Sequence, residues 1–357
     1  MASKSRPGRL RRPALNDAIG AVAIGRNEGE RLRRCLTSLI GRVASVVYVD
    51  SGSTDGSVAL AKQMGATVVE IDPGLPFTAA RARNLGFAKL RAAAPEIGLV
   101  QFVDGDCEVA PGWWARASAE IRAASDLAVV CGRRRERFPE ASLYNRLCDL
   151  EWNTPIGYAD ACGGDALMRA APFEEVGGYN ADLIAGEEPD LCLRLRQRGW
   201  KIARVDAEMT LHDAAMTHFR QWWRRTLRAG YAYAEGAARH RGEPGRFWLR
   251  ETRSIWFWGV GVPALALGFV APTAGGSLAL SGGYSVLALR VYRAMRRRGM
   301  SPADARLYAA FCVLGKFPMA LGQISYWKQR LSGKRGGIIE YKTPPEAQPP
   351  AATPASP

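Results

Sequence analysis

Four short apolar runs near the start of the chain, residues 19–24, 45–49, 67–71 and 99–103, are separated by segments of helical periodicity at 30–40, 54–64 and 78–93. Runs of that length, rich in valine and isoleucine, suit strands covered on both faces. Strands spaced by helices pair in parallel through helical crossovers, so the alternation predicts βαβ units and a mostly parallel sheet, an α/β fold. Ligands of such sheets lie beyond the carboxyl ends of the strands. Three polar clusters fall there: Gly25-Arg26-Asn27-Glu28, Asp50-Ser51-Gly52-Ser53 and Asp104-Gly105-Asp106.

Each cluster has its own chemistry. Asp104 and Asp106 follow an apolar strand directly, and two carboxylates one residue apart can aim oxygens at one hard divalent cation. Gly105 between them lets a ligand approach the backbone. In Val49–Gly56, Ser53 or Thr54 is placed to cap the next helix, with Asp55 favourable in its first turn. Capping leaves Asp50 unexplained, and it sits where a nucleotide base would be met. Arg83, in Ala82-Arg83-Asn84-Leu85-Gly86, is either a diphosphate ligand or a helix-surface arginine.

The chain has 357 residues and a net charge of +15, from 49 Lys+Arg and 34 Asp+Glu. Apolar residues make up 47 % of it, which excludes a disordered polyelectrolyte. The charge is unevenly spread. Residues 1–12 carry five basic side chains and no acid, residues 13–219 carry 23 basic and 28 acidic, and residues 220–342 carry 21 basic and five acidic. A compact nucleic-acid-binding domain is basic over its whole contact face, so this pattern argues against one. The seven cysteines, at 35, 107, 131, 148, 162, 192 and 312, form no Cys-x-x-Cys pair, which favours a reducing cytosol over a disulfide framework or zinc cluster. The basic N-terminus leads into no apolar signal core, so the chain is expected to start in the cytoplasm.

Residues 254–289 hold no charge and no histidine. Two short spans joined by the turn Pro272-Thr273-Ala274-Gly275-Gly276 fit that length better than one. Arg250 and Arg253 flank one end, and Arg290, Arg293 and Arg296-Arg297-Arg298 the other, so both ends read as cytoplasmic. A further apolar stretch, 307–327, contains Lys316 and Pro318 and reads as a poor span or an interfacial helix. A buried core helix pair is the competing reading of the hairpin. Residues 220–241 interleave arginine with tryptophan and tyrosine, which suits an interfacial helix on an anionic leaflet better than a base-stacking platform. With a mean hydropathy of −0.15 the chain reads as a soluble body with a membrane-directed appendix.

The ordered segments IGRNEGERLRRCL, VDSGSTDG, ARNLG, FVDGDCEV and GEEPDLCLRLRQRGW resemble those of glycosyltransferase family 2, over roughly residues 18–212. The resemblance implies a GT-A fold, Rossmann-like with a mostly parallel sheet, an inverting reaction, a nucleotide-diphosphate-sugar donor and Mg²⁺ or Mn²⁺. It carries nucleotide contacts onto Asn27, Glu28, Asp50 and Arg83, and metal–diphosphate binding onto Asp104 and Asp106. The catalytic base falls in Gly186–Asp190, where Glu188 is the first choice and Glu187 and Asp190 are rivals; Asp190 also suits a plain helix N-terminal charge. Asp165, after Gly163-Gly164, is a donor-sugar or acceptor contact, and His212 a metal or diphosphate ligand with a structural histidine as the alternative. Two departures stand out. The common Glu-Asp pair is here Glu187-Glu188, and a frequent second aspartate is Ser51.

The expected organisation is a basic arm at 1–17, a glycosyltransferase domain at 18–215, an amphipathic basic and aromatic region at 216–253, a membrane hairpin and interfacial helix at 254–331, and a disordered tail at 332–357. The expected function is transfer of a sugar to a lipid-linked or polysaccharide acceptor, for the cell envelope or an exopolysaccharide, at the inner (plasma) membrane with the catalytic domain cytoplasmic. Nucleic acid is not an expected partner. The alternatives are a polyprenyl-phosphate sugar transferase, a basic nucleic-acid-binding protein and a catalytically dead GT-A domain. Gln221-Trp222-Trp223-Arg224-Arg225 only partly matches the Gln-x-x-Arg-Trp element of processive members, and so few spans disfavour a polymer synthase.

Overall fold

The computed structural model describes residues 18–72, 74, 77–243 and 247–333. The expected basic arm at 1–17 and all but the first two residues of the expected tail lie outside them. The alternation in the first hundred residues becomes β1 (Ile19–Gly25), α1 (Glu30–Leu39), β2 (Ser45–Asp50), α2 (Ser57–Gln63), β3 (Thr67–Glu70), α3 (Ala79–Ala93) and β4 (Leu99–Asp104). β1 pairs in parallel with β2 and β4, and β2 with β3. Their register sets Gly25 beside Asp50 and Ile24 beside Asp104, so the three polar clusters share one edge of the sheet.

One boundary moves. α2 begins at Ser57, not at residue 54, because Gly56 turns the chain with φ +84° and the Asp55 carboxylate accepts the Ser57 N–H at 3.0 Å. Ser53 and Thr54, the expected caps, bond elsewhere. The Thr54 amide donates to Asn27 Oδ1 at 2.7 Å, and the Ser53 hydroxyl accepts the Asn27 amide at 2.9 Å.

The chain continues through β5 (Cys107–Val109), α4 (Trp113–Ala123), β6 (Leu127–Glu136), α5 (Leu143–Glu151), β7 (Gly157–Tyr158), β8 (Ala166–Arg169), α6 (Ala170–Glu175), α7 (Glu187–Gln197) and β9 (Lys201–His212). β8 lies antiparallel between β4 and β6, β6 runs parallel to β9, and β5 and β7 add antiparallel to β9. The result is a nine-stranded mixed sheet of order β3-β2-β1-β4-β8-β6-β9-β5, with β7 beside β9. Phe87, Phe102, Phe173 and Tyr179 close one face, with ring centroids 4.5 to 6.4 Å apart.

After the sheet come α8 (Phe219–Arg239), α9 (Leu249–Trp256) running through the π-turn Phe257–Gly261 into α10 (Val262–Gly268), a 3₁₀ turn (Gly276–Ser281), α11 (Gly282–Arg297), α12 (Pro302–Leu314) and α13 (Lys316–Leu331). α8 does not lie apart as an interfacial helix would. Only Phe219, Arg220, Arg224 and Arg239 are exposed along it, and Trp222 is buried with Leu147, Cys148 and Met216. α13 crosses it at glycine: a Cβ at Gly230 would stand 2.1 Å from the Met319 carbonyl oxygen, and one at Gly322 2.1 Å from that of Leu227. The uncharged stretch forms helices to either side of its Pro/Gly turn, with Phe257, Leu265, Leu267, Phe269, Leu278, Leu280, Val286 and Leu289 exposed. Among the described residues one helix, Pro302–Leu331, is long and apolar enough to cross a membrane by length and composition; its most apolar 18-residue stretch has mean hydropathy 1.4 and is one third buried.

Candidate active site

A cavity of about 630 Å³ opens at the sheet edge where the three polar clusters meet. It is lined by the β1 and β4 ends (Asn27, Glu28, Asp104, Gly105), by α3 and the start of α7 (Arg83, Glu187, Glu188), and by α8 and the residue before α9 (Arg225, Arg228, Tyr233, Trp248). Six arginines and four carboxylates line it, which suits an anionic ligand with a local acid–base group.

The centre is a chain of buried ion pairs. Arg83 donates to Asp104 Oδ1 at 2.7 Å and to Glu187 Oε1 at 2.8 Å. Arg134, from β6, donates to Asp104 Oδ2 at 3.0 Å and to Asp165 Oδ2 at 2.9 Å. Burial works against the Arg83 charge, but Asp104, Tyr179 and Glu187 outweigh it and hold the guanidinium protonated. Arg134 behaves alike: burial opposes its charge, and Asp165, with Cys107 and Asp104, overcomes it. Arg83 and Arg134 lie 5.4 Å from the ring centroids of Tyr179 and Trp152, respectively.

Of the residues singled out in the sequence, Asn27, Glu28, Arg83, Asp104, Glu187 and Glu188 line the cavity together. Asn27 takes φ +55° and ties the β1 loop to the β2 loop through Ser53 and Thr54. Glu28 pairs with Arg31 at 2.9 Å. Glu188 Oε1 accepts the Cys162 N–H at 2.5 Å and the Cys192 S–H at 3.0 Å, which fixes its carboxylate.

The other five stand behind the wall. Asp50 accepts from the Tyr48 and Ser53 hydroxyls and from the Gly52 and Ser53 amides, so its carboxylate builds the β2 turn while Ser51 reaches the cavity. Asp165 is fully buried and accepts from Arg134, the Asp104 amide and Thr210. Asp190 is held by Arg194 at 2.8 Å and by His240 at 2.8 Å. Asp106 and His212 face each other beneath Asp104, with Oδ2 to Nε2 at 3.3 Å, and Glu136 lies 3.4 Å from His212 Nδ1. Burial depresses the His212 pKa, but the Asp106 charge and the hydrogen bonds to Asp106 and Glu136 overcome it, leaving a net rise.

Arg134, Arg225, Arg228 and Trp248 line the cavity without having been singled out as site residues. For Arg134 the signal was present: in Arg133-Arg134-Arg135 on a strand, the middle side chain faces opposite to its neighbours.

Residues 22–177 match the model of glycosyl transferase family 2. That span is a family 2 glycosyltransferase domain. This glycosyltransferase is 25 % identical over 246 residues to the succinoglycan biosynthesis protein ExoA of Rhizobium meliloti, a match covering 65 % of this chain and 71 % of that protein. It is 27 % identical over 243 residues to a pre-mycofactocin glycosyltransferase of Mycobacterium tuberculosis, covering 64 % of this chain and 49 % of that protein. It is also 26 % identical over 240 residues to an N-acetylglucosaminyl-diphospho-decaprenol L-rhamnosyltransferase of the same species, covering 56 % of this chain and 78 % of that protein. Among solved structures it resembles the mannosyltransferase PcManGT of Pyrobaculum calidifontis, in complex with GDP-mannose and Mn²⁺, with a TM-score of 0.58 at 17 % identity over 89 % of this chain and 91 % of that one. The fold of this glycosyltransferase is therefore GT-A, followed by a C-terminal helical region.

Proposed function

We propose that this glycosyltransferase moves a sugar, with inversion, from a nucleotide-diphosphate-sugar to a lipid-linked or saccharide acceptor of the cell envelope or an exopolysaccharide, working at the cytoplasmic face of the plasma membrane. The observation that carries the reading is one cavity holding the Arg83–Asp104–Arg134 ion pairs and the fixed carboxylate of Glu188. Asn27 and Glu28 contact the nucleoside, with Asp50 shaping the turn beside them. Arg83 and Arg134 receive the diphosphate, for which the planar guanidinium is suited. Glu188 takes the acceptor hydroxyl proton as the sugar carbon is attacked from the face opposite the leaving diphosphate. Glu187 steadies Arg83, and Asp190, tied to Arg194 and His240, steadies the start of α7.

The donor set under Asp104 fits a hard divalent ion. Asp106 Oδ2 and His212 Nε2 lie at a spacing two ligands of one ion adopt, and the carboxylate oxygen suits Mn²⁺ or Mg²⁺. Asp106 and His212 would hold it, with Asp104 above. Bound there, the ion supplies compensation for charge developing on the departing diphosphate.

The membrane reading is supported by the exposed apolar side chains of residues 254–289, the arginines at 290–298 and the apolar helix Pro302–Leu331. Arg225 and Arg228, which line the cavity from α8, favour an acceptor that itself carries phosphate, which keeps a polyprenyl phosphate as the second reading.

A thermal-shift screen of nucleotide sugars with Mn²⁺ tests the donor class, and silence across the whole screen counts against it. Glu188→Gln is expected to keep the donor-induced shift and lose transfer by about 100-fold or more. Near-normal turnover in that variant removes Glu188 from the role of base.

A further inference from the structure

Behind the α7 wall lies a second group of metal-competent donors, chemically unlike the Asp106–His212 pair. Cys162, Cys192 and Glu188 each present one ligand atom, and these atoms lie within 4.8 Å of one another. The Cys162 and Cys192 sulfurs are 3.6 Å apart, and Glu188 Oε1 is 3.0 Å from the Cys192 sulfur. Two thiolates bound to one tetrahedral ion at about 2.3 Å each sit roughly 3.8 Å apart, so the observed spacing needs little adjustment. A hard ion such as Mg²⁺ or Mn²⁺ gains little from two sulfurs, whereas Zn²⁺ and Cd²⁺ prefer them. All three side chains are buried, and Glu188 borders the cavity, the side from which an ion would enter.

We propose that Cys162, Cys192 and Glu188 form a binding site for a thiophilic divalent cation of the Zn²⁺ or Cd²⁺ type. Loading exchanges two thiol protons for one ion: both S–H bonds break, two metal–thiolate bonds form, and the protons leave to solvent. No change of oxidation state is involved. Burial raises the pKa of both thiols, that of Cys192 to about 11, with the hydrogen bond between them leading the rise at Cys162, so the pair stays protonated until an ion drives the exchange. The site has a consequence for the reaction that rests on the reading of Glu188 as base. A carboxylate bound to the ion no longer accepts the acceptor's proton, so a thiophilic ion inhibits transfer from within the active site.

The test titrates the reduced full chain with Cd²⁺ in detergent, with excess Mn²⁺ present to occupy the Asp106–His212 pair, and follows the ultraviolet charge-transfer absorption of cadmium–thiolate bonds. Saturation near one equivalent is expected. Cys162→Ser and Cys192→Ser should each weaken binding at least tenfold, while Cys148→Ser, at a buried thiol elsewhere, should leave it unchanged. Glu188→Gln keeps both thiols and should weaken binding while preserving the absorption, a check that holds if the cysteine variants fold poorly. Absence of the absorption in the wild-type chain, its persistence in the Cys162→Ser/Cys192→Ser double variant, or its loss with Cys107→Ser instead overturns the site. In the same samples Cd²⁺ should slow transfer. Binding without slowing upholds the site and removes Glu188 as the base.

Discussion

At the scale of single residues, the site is organised by arginines that neutralise each other's partners. Asp165 has no exposed surface and relies on Arg134, which also holds Asp104. Removing one member of such a buried pair strands the other's charge. Arg134→Ala is therefore expected to lower stability by about 3–5 kcal/mol, read from the denaturant midpoint. Glu235 on α8 makes a separate prediction. Burial raises its pKa to about 7, and its Oε2 has no hydrogen-bond partner. A raised carboxyl pKa favours folding at low pH, and that contribution is lost as pH rises from the unfolded value towards 7. Glu235→Gln should accordingly raise the melting temperature at pH 8 and change it much less at pH 5. The sequence made some of this visible and hid the rest. Asp104, Arg83 and Glu188 announce themselves by lying at strand and helix ends within ordered motifs. Asp50 and Asp190 did so too, yet their oxygens are spent on the turn and on His240, because a motif records a residue's place in the chain and not which neighbours reach it first.

Among the elements, β1, β2 and β4 were legible because a strand buried on both faces leaves an unbroken apolar run, and the half-buried edge strand β3 by its paired valines between turns. α8 was legible as a helix but not by its surroundings. Arginines and aromatics interleaved at helical spacing describe a helix on a membrane surface, and equally one whose flanks are covered by a sheet domain and by another helix. Periodicity reports that faces differ and is silent about what covers them. The glycines held the missing information: Gly230 and Gly322 allow α8 and α13 to touch backbone to backbone, and a side chain at either meets a carbonyl at 2.1 Å. Gly230→Leu should force the two helices apart. The expected cost is at least the roughly 1–3 kcal/mol of an overpacked core, together with a weaker donor-induced thermal shift, because α8 carries the Arg225 and Arg228 wall of the cavity. A destabilised variant with an unaltered shift would show that the wall and the helix crossing are uncoupled.

For the whole molecule, the net charge of +15 divides into a mildly acidic catalytic body and a basic final third. The simplest picture from the sequence is modular: a soluble enzyme with a detachable anchor. The packing argues otherwise. α13 covers α8, α8 walls the cavity, and Trp248, just before α9, also lines it and lies so close to Gly186 that a Cβ added there would stand 3.1 Å from its ring. The same C-terminal helices that expose Phe257, Leu265 and Leu267 therefore shape the site from behind. A chain ending at residue 243 retains every carboxylate of the family motifs but lacks Trp248 and α13. It is expected to aggregate or to bind nucleotide sugar at least tenfold more weakly than the full chain, and not to behave as a free, active domain. The full chain, in turn, should stay with membranes through a high-salt wash that strips charge-bound proteins and leave only with detergent, because salt screens the arginines of residues 290–298 without weakening the burial of exposed leucine and phenylalanine in lipid. Release of the intact chain by salt would place the basic third against an anionic surface alone. An active, soluble truncation would restore the modular picture.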